Sequence, residues 1–194
     1  NIEYCQWCFA CWGDTPGKCV IDDDMEELLD IFLESDYAGM ATPVYGMYMT
    51  ALLKNFTDRF LPLATPYIHK NEDGSFYHKG RVKRFPKQFF IANSGFPGEH
   101  NFDILKAIGK MQNFILEVYR NCGETLSEPL ENLPPLASKN IENFYDALRK
   151  AGKEMAINGK VSKDTVEQLH LPLMSDEEYT AEANKQWDEQ LDNK

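Results

Sequence analysis

Two apolar stretches, each ending in a loop of small residues and followed by a helical pattern, constrain this chain more than anything else in it. Tyr37-Ala-Gly-Met-Ala-Thr-Pro-Val-Tyr45 reads as a short buried strand that ends at Pro43 in an irregular loop. Lys87-Gln-Phe-Phe-Ile-Ala-Asn-Ser-Gly95 reads as a second strand of the same kind. After the first, Met49, Leu52, Leu53, Phe56 and Phe60 recur at helical spacing until Pro62 closes the helix. After the second, Phe102, Leu105, Ile108, Met111, Ile115, Leu116 and Tyr119 predict one long helix ended by Gly123, with 124–129 as a third, short strand. Strand–loop–helix alternation implies a parallel sheet covered on both faces. In open sheets of that class ligands sit beyond the carboxyl ends of the strands. Two such ends are visible, Thr42-Pro-Val-Tyr-Gly-Met-Tyr48 and Asn93-Ser-Gly-Phe-Pro-Gly98. Each can present backbone N–H groups to a ligand, or serve only as a connector turn.

The rest of the chain is mostly helical. Asp22-Asp23-Asp24-Met25-Glu26-Glu27 resembles a capping box, and Met25, Leu28, Leu29 and Phe32 then share one face of a helix running to about residue 35. The polar stretch from about Ile68 to Pro86, with Asn71-Glu-Asp-Gly74 as a turn, predicts a surface excursion or a short hairpin. From about Ser138 the pattern is helical through Phe144, Leu148 and Met155, then from Thr165 to Leu169. A last helix from about Ser175 to Gln190 is capped by Ser175-Asp-Glu-Glu178 and carries Tyr179, Ala183 and Trp187. The expected organisation is an α/β domain over 1–137 and a helical C-terminal extension over 138–194, packed on the same domain.

Ahead of the first strand, Cys5-Gln-Trp-Cys8-Phe-Ala-Cys11 and then Cys19 place four of the five cysteines within nineteen residues. Three thiols at i, i+3 and i+6, with a fourth returning over a turn at Pro16-Gly17, can surround one inorganic centre. Zinc sites usually draw two Cys-x2-Cys pairs from separate stretches, and the remaining Cys122 stands alone. Cubane iron–sulfur clusters take the crowded arrangement, although the ferredoxin-type run has a shorter final spacing and a Pro after its last Cys. An iron–sulfur cluster, zinc and idle reduced thiols all remain open. Disulfides fit least, because one Cys would be left over and nothing suggests secretion. Trp7, Phe9 and Trp12 alternate with the thiols, either excluding water from a centre or packing as ordinary core.

Thirty-one acidic residues against twenty basic ones give a net charge of −11. Attraction to phosphate backbones is disfavoured, and so is attraction to anionic membranes; no nucleic acid and no membrane partner is expected. No apolar run approaches the length that spans a bilayer. With 194 residues and 43% hydrophobic content the chain can bury a full core, and a cytoplasmic setting is expected. His69, His78 and His170 show no ligand spacing, and His100 suits a surface or helix-start role.

Taken in order, these pieces resemble the iron–sulfur flavoprotein branch of the NAD(P)H-dependent FMN reductases, a flavodoxin-like family. The matching features are the Cys5–Cys19 run ending in Cys-Val-Ile-Asp-Asp-Asp-Met, the Thr-Pro-Val-Tyr loop, the helix carrying Leu53-Lys-Asn-Phe-Thr-Asp-Arg59, Asn93-Ser-Gly and the helical tail. The resemblance implies a flavodoxin-like three-layer sandwich. It implies that Thr42, Pro43, Val44, Tyr45, Gly46 and Met47 border the ring of FMN, with Asn93, Ser94, Gly95 and Phe96 approaching from the other side. It implies that Cys5, Cys8, Cys11 and Cys19 bind a [4Fe–4S] cluster in an electron-transfer oxidoreductase. NAD(P)H would be a possible donor, and the acceptor a redox partner protein or a small molecule. Association into a homodimer or homotetramer is implied too, with Cys5–Trp12 and the Trp187 helix as the adhesive surfaces. Family members open with a strand, a Ser/Gly-rich phosphate loop and a helix ahead of the cysteines. Neither these nor a G-x-G-x-x-G or Walker loop occurs here, so the chain is expected to lack its first strand and main phosphate cradle. Two other readings stand beside this one: an NAD(P)H-dependent FMN or quinone reductase whose thiols bind no metal, and a zinc-stapled interaction module.

Overall fold

A computed structural model describes residues 1–192; the last two residues of the expected extension lie outside it. In chain order the elements are α1 (Met25–Glu34), β1 (Tyr37–Pro43), α2 (Ala51–Asp58), β2 (Ala64–Lys70), β3 (Phe76–Gly80), β4 (Lys87–Asn93), α3 (Asp103–Gln112), β5 (Leu116–Arg120), α4 (Pro135–Asn158), α5 (Lys163–Leu169) and α6 (Asp176–Asp192). The chain divides into two compact units, residues 1–38 with 50–87 and residues 39–49 with 88–194. No helix among the described residues is long and apolar enough to cross a membrane.

The first unit gathers the cysteine loop, α1, α2 and an antiparallel hairpin. Its core is Met25, Leu29, Phe32 and Leu63, with Phe56 and Phe60 of the α2 face packed against them. The Phe32–Phe60 and Phe56–Phe60 ring centroids both lie 4.9 Å apart. β2 and β3 pair antiparallel around Asn71–Gly74, which is the short hairpin expected of the polar stretch. The acidic triplet behaves differently from a capping box. Asp24 makes no side-chain cap; Asp23 instead accepts from the Met25 N–H at 3.0 Å and, with the same carboxylate, from the Glu3 N–H and from Arg59.

The second unit holds the sheet, in strand order β1-β4-β5, which makes the architecture α/β as a flavodoxin-like fold requires. β4 and β5 run parallel, with Phe89 opposite Leu116 and Asn93 opposite Arg120. At the carboxyl end of β1, the Val44 N–H donates to the Asn93 carbonyl at 2.7 Å, so both candidate loops leave the sheet on one side. Phe90, Val118, Phe102 and Leu105 bury the sheet against α3, and Ile141, Phe144, Ala147, Ala151 and Leu169 form the apolar faces of α4 and α5.

Two expectations fail here. The long helix over 102–119 is a short one: α3 ends at Gln112, Asn113 turns left-handed at φ 53°, and Leu116–Arg120 is a strand. The expected third strand at 124–129 is not a strand, since Gly123–Leu126 forms a 3-10 turn. Leu116-Glu-Val-Tyr-Arg120 buries Val118, Tyr119 and Arg120 in succession, and pairing with β4 decides the matter over helical spacing. The last helix does start as expected. Ser175 Oγ accepts from the Glu178 N–H at 3.2 Å, and the Glu178 carboxylate accepts from the Ser175 N–H at 3.2 Å, a reciprocal capping box.

Candidate functional site

The first candidate site is a cavity of about 20 Å³ in the first unit, lined by Cys5, Cys8, Cys11, Cys19 and Arg59. Local backbone brings the thiols together. Trp7 and Phe9 adopt left-handed conformations at φ 52° and 56°, which coils the Cys5–Cys11 segment tightly. Aromatic residues rarely take that conformation, and each costs about 1–3 kcal/mol, so tertiary contacts must hold it. One such contact is Trp12, whose indole N–H donates to the Leu61 carbonyl at 2.9 Å and whose ring lies 4.8 Å from that of His78. Gly17, at φ 86°, then returns the chain to Cys19, and its N–H donates to the Cys11 carbonyl at 2.9 Å. Trp7 and Phe9 themselves stay largely exposed, so of the three aromatics only Trp12 packs inward.

Cys11 feels the other three thiols. Burial pushes the Cys11 thiol up from its ordinary value, and Cys19, Cys8 and Cys5 push it further. A cation among them would reverse that trend, because thiolate ligation favours the charged form. Arg59, at the end of α2 and 1% exposed, supplies a positive charge. It donates to both carboxylate oxygens of Asp23 at 2.7 and 3.0 Å, to the Glu3 carbonyl at 2.7 Å and to Cys19 Sγ at 3.5 Å. Arg59 in turn holds the Asp23 carboxyl down to about 2. One turn earlier on the same helix, Asn55 donates to the Ile2 carbonyl at 3.0 Å. The Leu53–Arg59 motif thus fastens the segment that leads into Cys5. As they stand, no three or more His, Cys, Asp or Glu among the described residues form a metal-ion site. The donor set of four thiols beside a guanidinium suits an iron–sulfur centre, and the narrow cavity meets solvent at the exposed Cys8.

The second candidate site is a cavity of about 490 Å³ in the second unit, at the carboxyl ends of β1 and β4. Of the ten residues expected to border a flavin, Val44, Gly46, Met47, Ser94, Gly95 and Phe96 line it. Thr42, Pro43, Tyr45 and Asn93 do not. Thr42 is buried with its hydroxyl donating to the Pro43 carbonyl at 2.8 Å, Tyr45 is exposed, and Asn93 closes the strand pair through its carbonyl. Tyr45 and Tyr48 exchange backbone bonds at 2.9 and 3.0 Å around Gly46 and Met47, both at positive φ, so the loop is a tight two-residue turn.

Its other wall was not legible as a site in the sequence. The Tyr179 hydroxyl donates to the Gly95 carbonyl at 2.5 Å and to Glu124 at 3.3 Å, while Ala183 and Trp187 continue the wall along α6. Burial is the main cause that pushes the Tyr179 phenol well above its ordinary value, so it serves as a donor. Gly95 sits close to this wall: a Cβ there would lie 3.1 Å from Glu124 Oε1, and the Glu124 side chain would have to give. Among the described residues no Lys or Arg lines the cavity, which suits the neutral ring of a flavin better than its phosphate. The thiol of Cys122, two residues before Glu124 in the chain, is free and buried, and burial lifts it to about 11.

Comparisons with known proteins bear on the amino-terminal part of the chain. Residues 4–79 match the family model for NADPH-dependent FMN reductase. An iron-sulfur flavoprotein of Archaeoglobus fulgidus is 46% identical over 62 residues, which cover 32% of this chain and 27% of that protein. An iron-sulfur flavoprotein of Clostridioides difficile is 40% identical over 60 residues, 30% of this chain and 26% of that protein. The chain thus spans about a quarter of the length of these curated relatives. No solved structure matches it.

Proposed function

From the match of residues 4–79 to the family model for NADPH-dependent FMN reductase, we propose that this chain is part of an FMN-dependent electron-transfer oxidoreductase whose Cys5, Cys8, Cys11 and Cys19 hold a [4Fe–4S] cluster. The observation that supports the reading is one small cavity that Cys5, Cys8, Cys11 and Cys19 all line, together with the buried Arg59. The printed names of both relatives support it.

The two cofactors, when bound, would supply the electron storage: one electron at a time in the cluster, one or two in the flavin. The chain supplies position and environment. Val44, Gly46 and Met47 would border one side of the flavin ring, and Ser94, Gly95 and Phe96 the other. Tyr179 fixes the Gly95 carbonyl, so the β4 loop meets a ligand already shaped. No side chain is assigned a covalent role. NAD(P)H is the proposed donor and a redox protein or small oxidant the proposed acceptor. Association of subunits through the exposed Trp7 and Phe9 and the Trp187 helix belongs to the same proposal. Reduced thiols suit a cytoplasmic setting.

The narrowness of the cysteine cavity favours a second reading, an NAD(P)H-dependent FMN or quinone reductase with idle thiols. Replacing Cys8 and Cys11 by Ser separates the two. The leading reading expects the wild-type chain, purified anaerobically, to carry iron and sulfide that the double variant lacks, together with loss of single-electron transfer. A variant that matches the wild type in metal content and turnover supports the second reading and defeats the first.

A further inference from the structure

The cysteine cavity has one wall that the proposed function leaves without a role, the guanidinium of Arg59. We propose that Arg59 is a positioning residue of the cysteine centre: a fixed positive charge, oriented by Asp23, that donates to the Cys19 sulfur and sets how readily the centre accepts an electron. This rests on the cluster reading above.

The geometry separates this role from that of a mere clamp. Nη1 donates to the Glu3 carbonyl and to Asp23 Oδ2, both at 2.7 Å. Nη2 is bound to Asp23 Oδ1 at 3.0 Å and faces Cys19 Sγ at 3.5 Å. Because the fork is planar and both its teeth are engaged by one carboxylate, the second N–H is aimed at the sulfur and cannot swing to solvent. Arg59 and Asp23 keep only 1% and 5% of their side chains exposed, so the charge acts through protein and not through water. Arg59 Nε has no hydrogen-bond partner, so this buried cation lies among fewer acceptors than its donors could use. A lysine could not satisfy carboxylate, carbonyl and sulfur from one plane. Only the arginine at the end of α2 does so.

Hydrogen bonds to cluster sulfurs and net charge nearby are levers on reduction potential. Reduction adds one electron, taken here from the reduced flavin of the proposed reaction or from dithionite in a titration, and forms or breaks no bond. A cation beside Cys19 stabilises the added charge and raises the potential.

The test uses the chain reconstituted anaerobically with iron and sulfide, titrated potentiometrically and read by low-temperature paramagnetic resonance, with circular dichroism to check folding. Arg59→Gln should shift the midpoint to a more negative potential, because the cation is lost and Asp23 is left uncompensated. The neutral pair Asp23→Asn with Arg59→Gln should shift it the same way by less. Arg59→Lys, which keeps the charge, should stay nearest the wild type. A wild-type midpoint in Arg59→Gln overturns the inference, and so do equal shifts in the Gln and Lys variants. Should Arg59→Gln not fold, the neutral pair decides, and a wild-type midpoint there overturns the inference. A wild-type chain that takes up no iron defeats the cluster reading and this inference together, a result distinct from a loaded chain whose potential ignores Arg59.

Discussion

Replacing Asp23 by Ala removes the residue that braces the cysteine cavity from behind, and the structure fixes what that should cost. The carboxylate accepts two bonds from Arg59 at 2.7 and 3.0 Å, one from the Glu3 N–H at 2.8 Å and one from the Met25 N–H at 3.0 Å, with 5% of the side chain exposed. Its pKa falls from 3.8 to about 2, chiefly through the Arg59 hydrogen bond and against the opposing effect of burial. At about 1.4 kcal/mol for each tenfold change in proton affinity, that depression corresponds to about 2–3 kcal/mol of folding stability. Truncation also strands a buried arginine, so the whole loss at pH 7 should reach about 3–5 kcal/mol. The folded pKa lies below the unfolded one, so this contribution is complete above about pH 4 and disappears as the pH falls towards 2. Urea unfolding at pH 7 and pH 3, followed by tryptophan fluorescence and circular dichroism, measures both effects. The wild type should lose stability on acidification, and Asp23→Ala should lose less because that component is already gone. A variant within about 1 kcal/mol of the wild type at pH 7, or one with the wild-type acid dependence, would refute the reasoning.

Three other outcomes are expected. Gly39→Ala places a Cβ 2.3 Å from the Phe89 ring, so β1 and β4 must shift at a cost of about 1–3 kcal/mol, visible as a lower urea midpoint. Tyr179→Phe removes the donor to the Gly95 carbonyl and should weaken FMN binding several-fold in a fluorescence-quenching titration with the helical signal unchanged; equal affinity would remove α6 from the site. With the centre chelated away, iodoacetamide at pH 8 should label Cys8 readily and spare Cys122, which is 1% exposed with its thiol pushed up to about 11; mass spectrometry of tryptic peptides reads the difference.

What the sequence disclosed was whatever is decided locally. The strands before Pro43 and after Lys87, the hairpin turn at Asn71–Gly74 and the Ser175–Glu178 box depend on neighbours a few residues away, and each stands where its pattern put it. The β5 strand was hidden because Ile115, Leu116 and Tyr119 extend the helical spacing of the preceding segment without a gap. Asn113, a residue that tolerates left-handed backbone, was the available signal of a break. The Cys5–Cys19 cavity was legible from spacing, whereas its Arg59 wall was not, because 40 residues separate that side chain from Cys19. Asp23 looked like a helix cap for the same reason: its partner lies 36 residues away. Tyr179 is 84 residues from Gly95, and apolar spacing marked it only as one face of a tail helix.

The central claim is that Cys5, Cys8, Cys11 and Cys19 share one iron–sulfur centre. Iron and acid-labile sulfide in the anaerobically reconstituted chain, measured alongside the paramagnetic signal of the dithionite-reduced sample, test it most directly. The account predicts equal amounts of the two, a reducible signal, and the loss of both in Cys19→Ser. Iron and sulfide at background, with all four thiols open to alkylation after the same treatment, would contradict it.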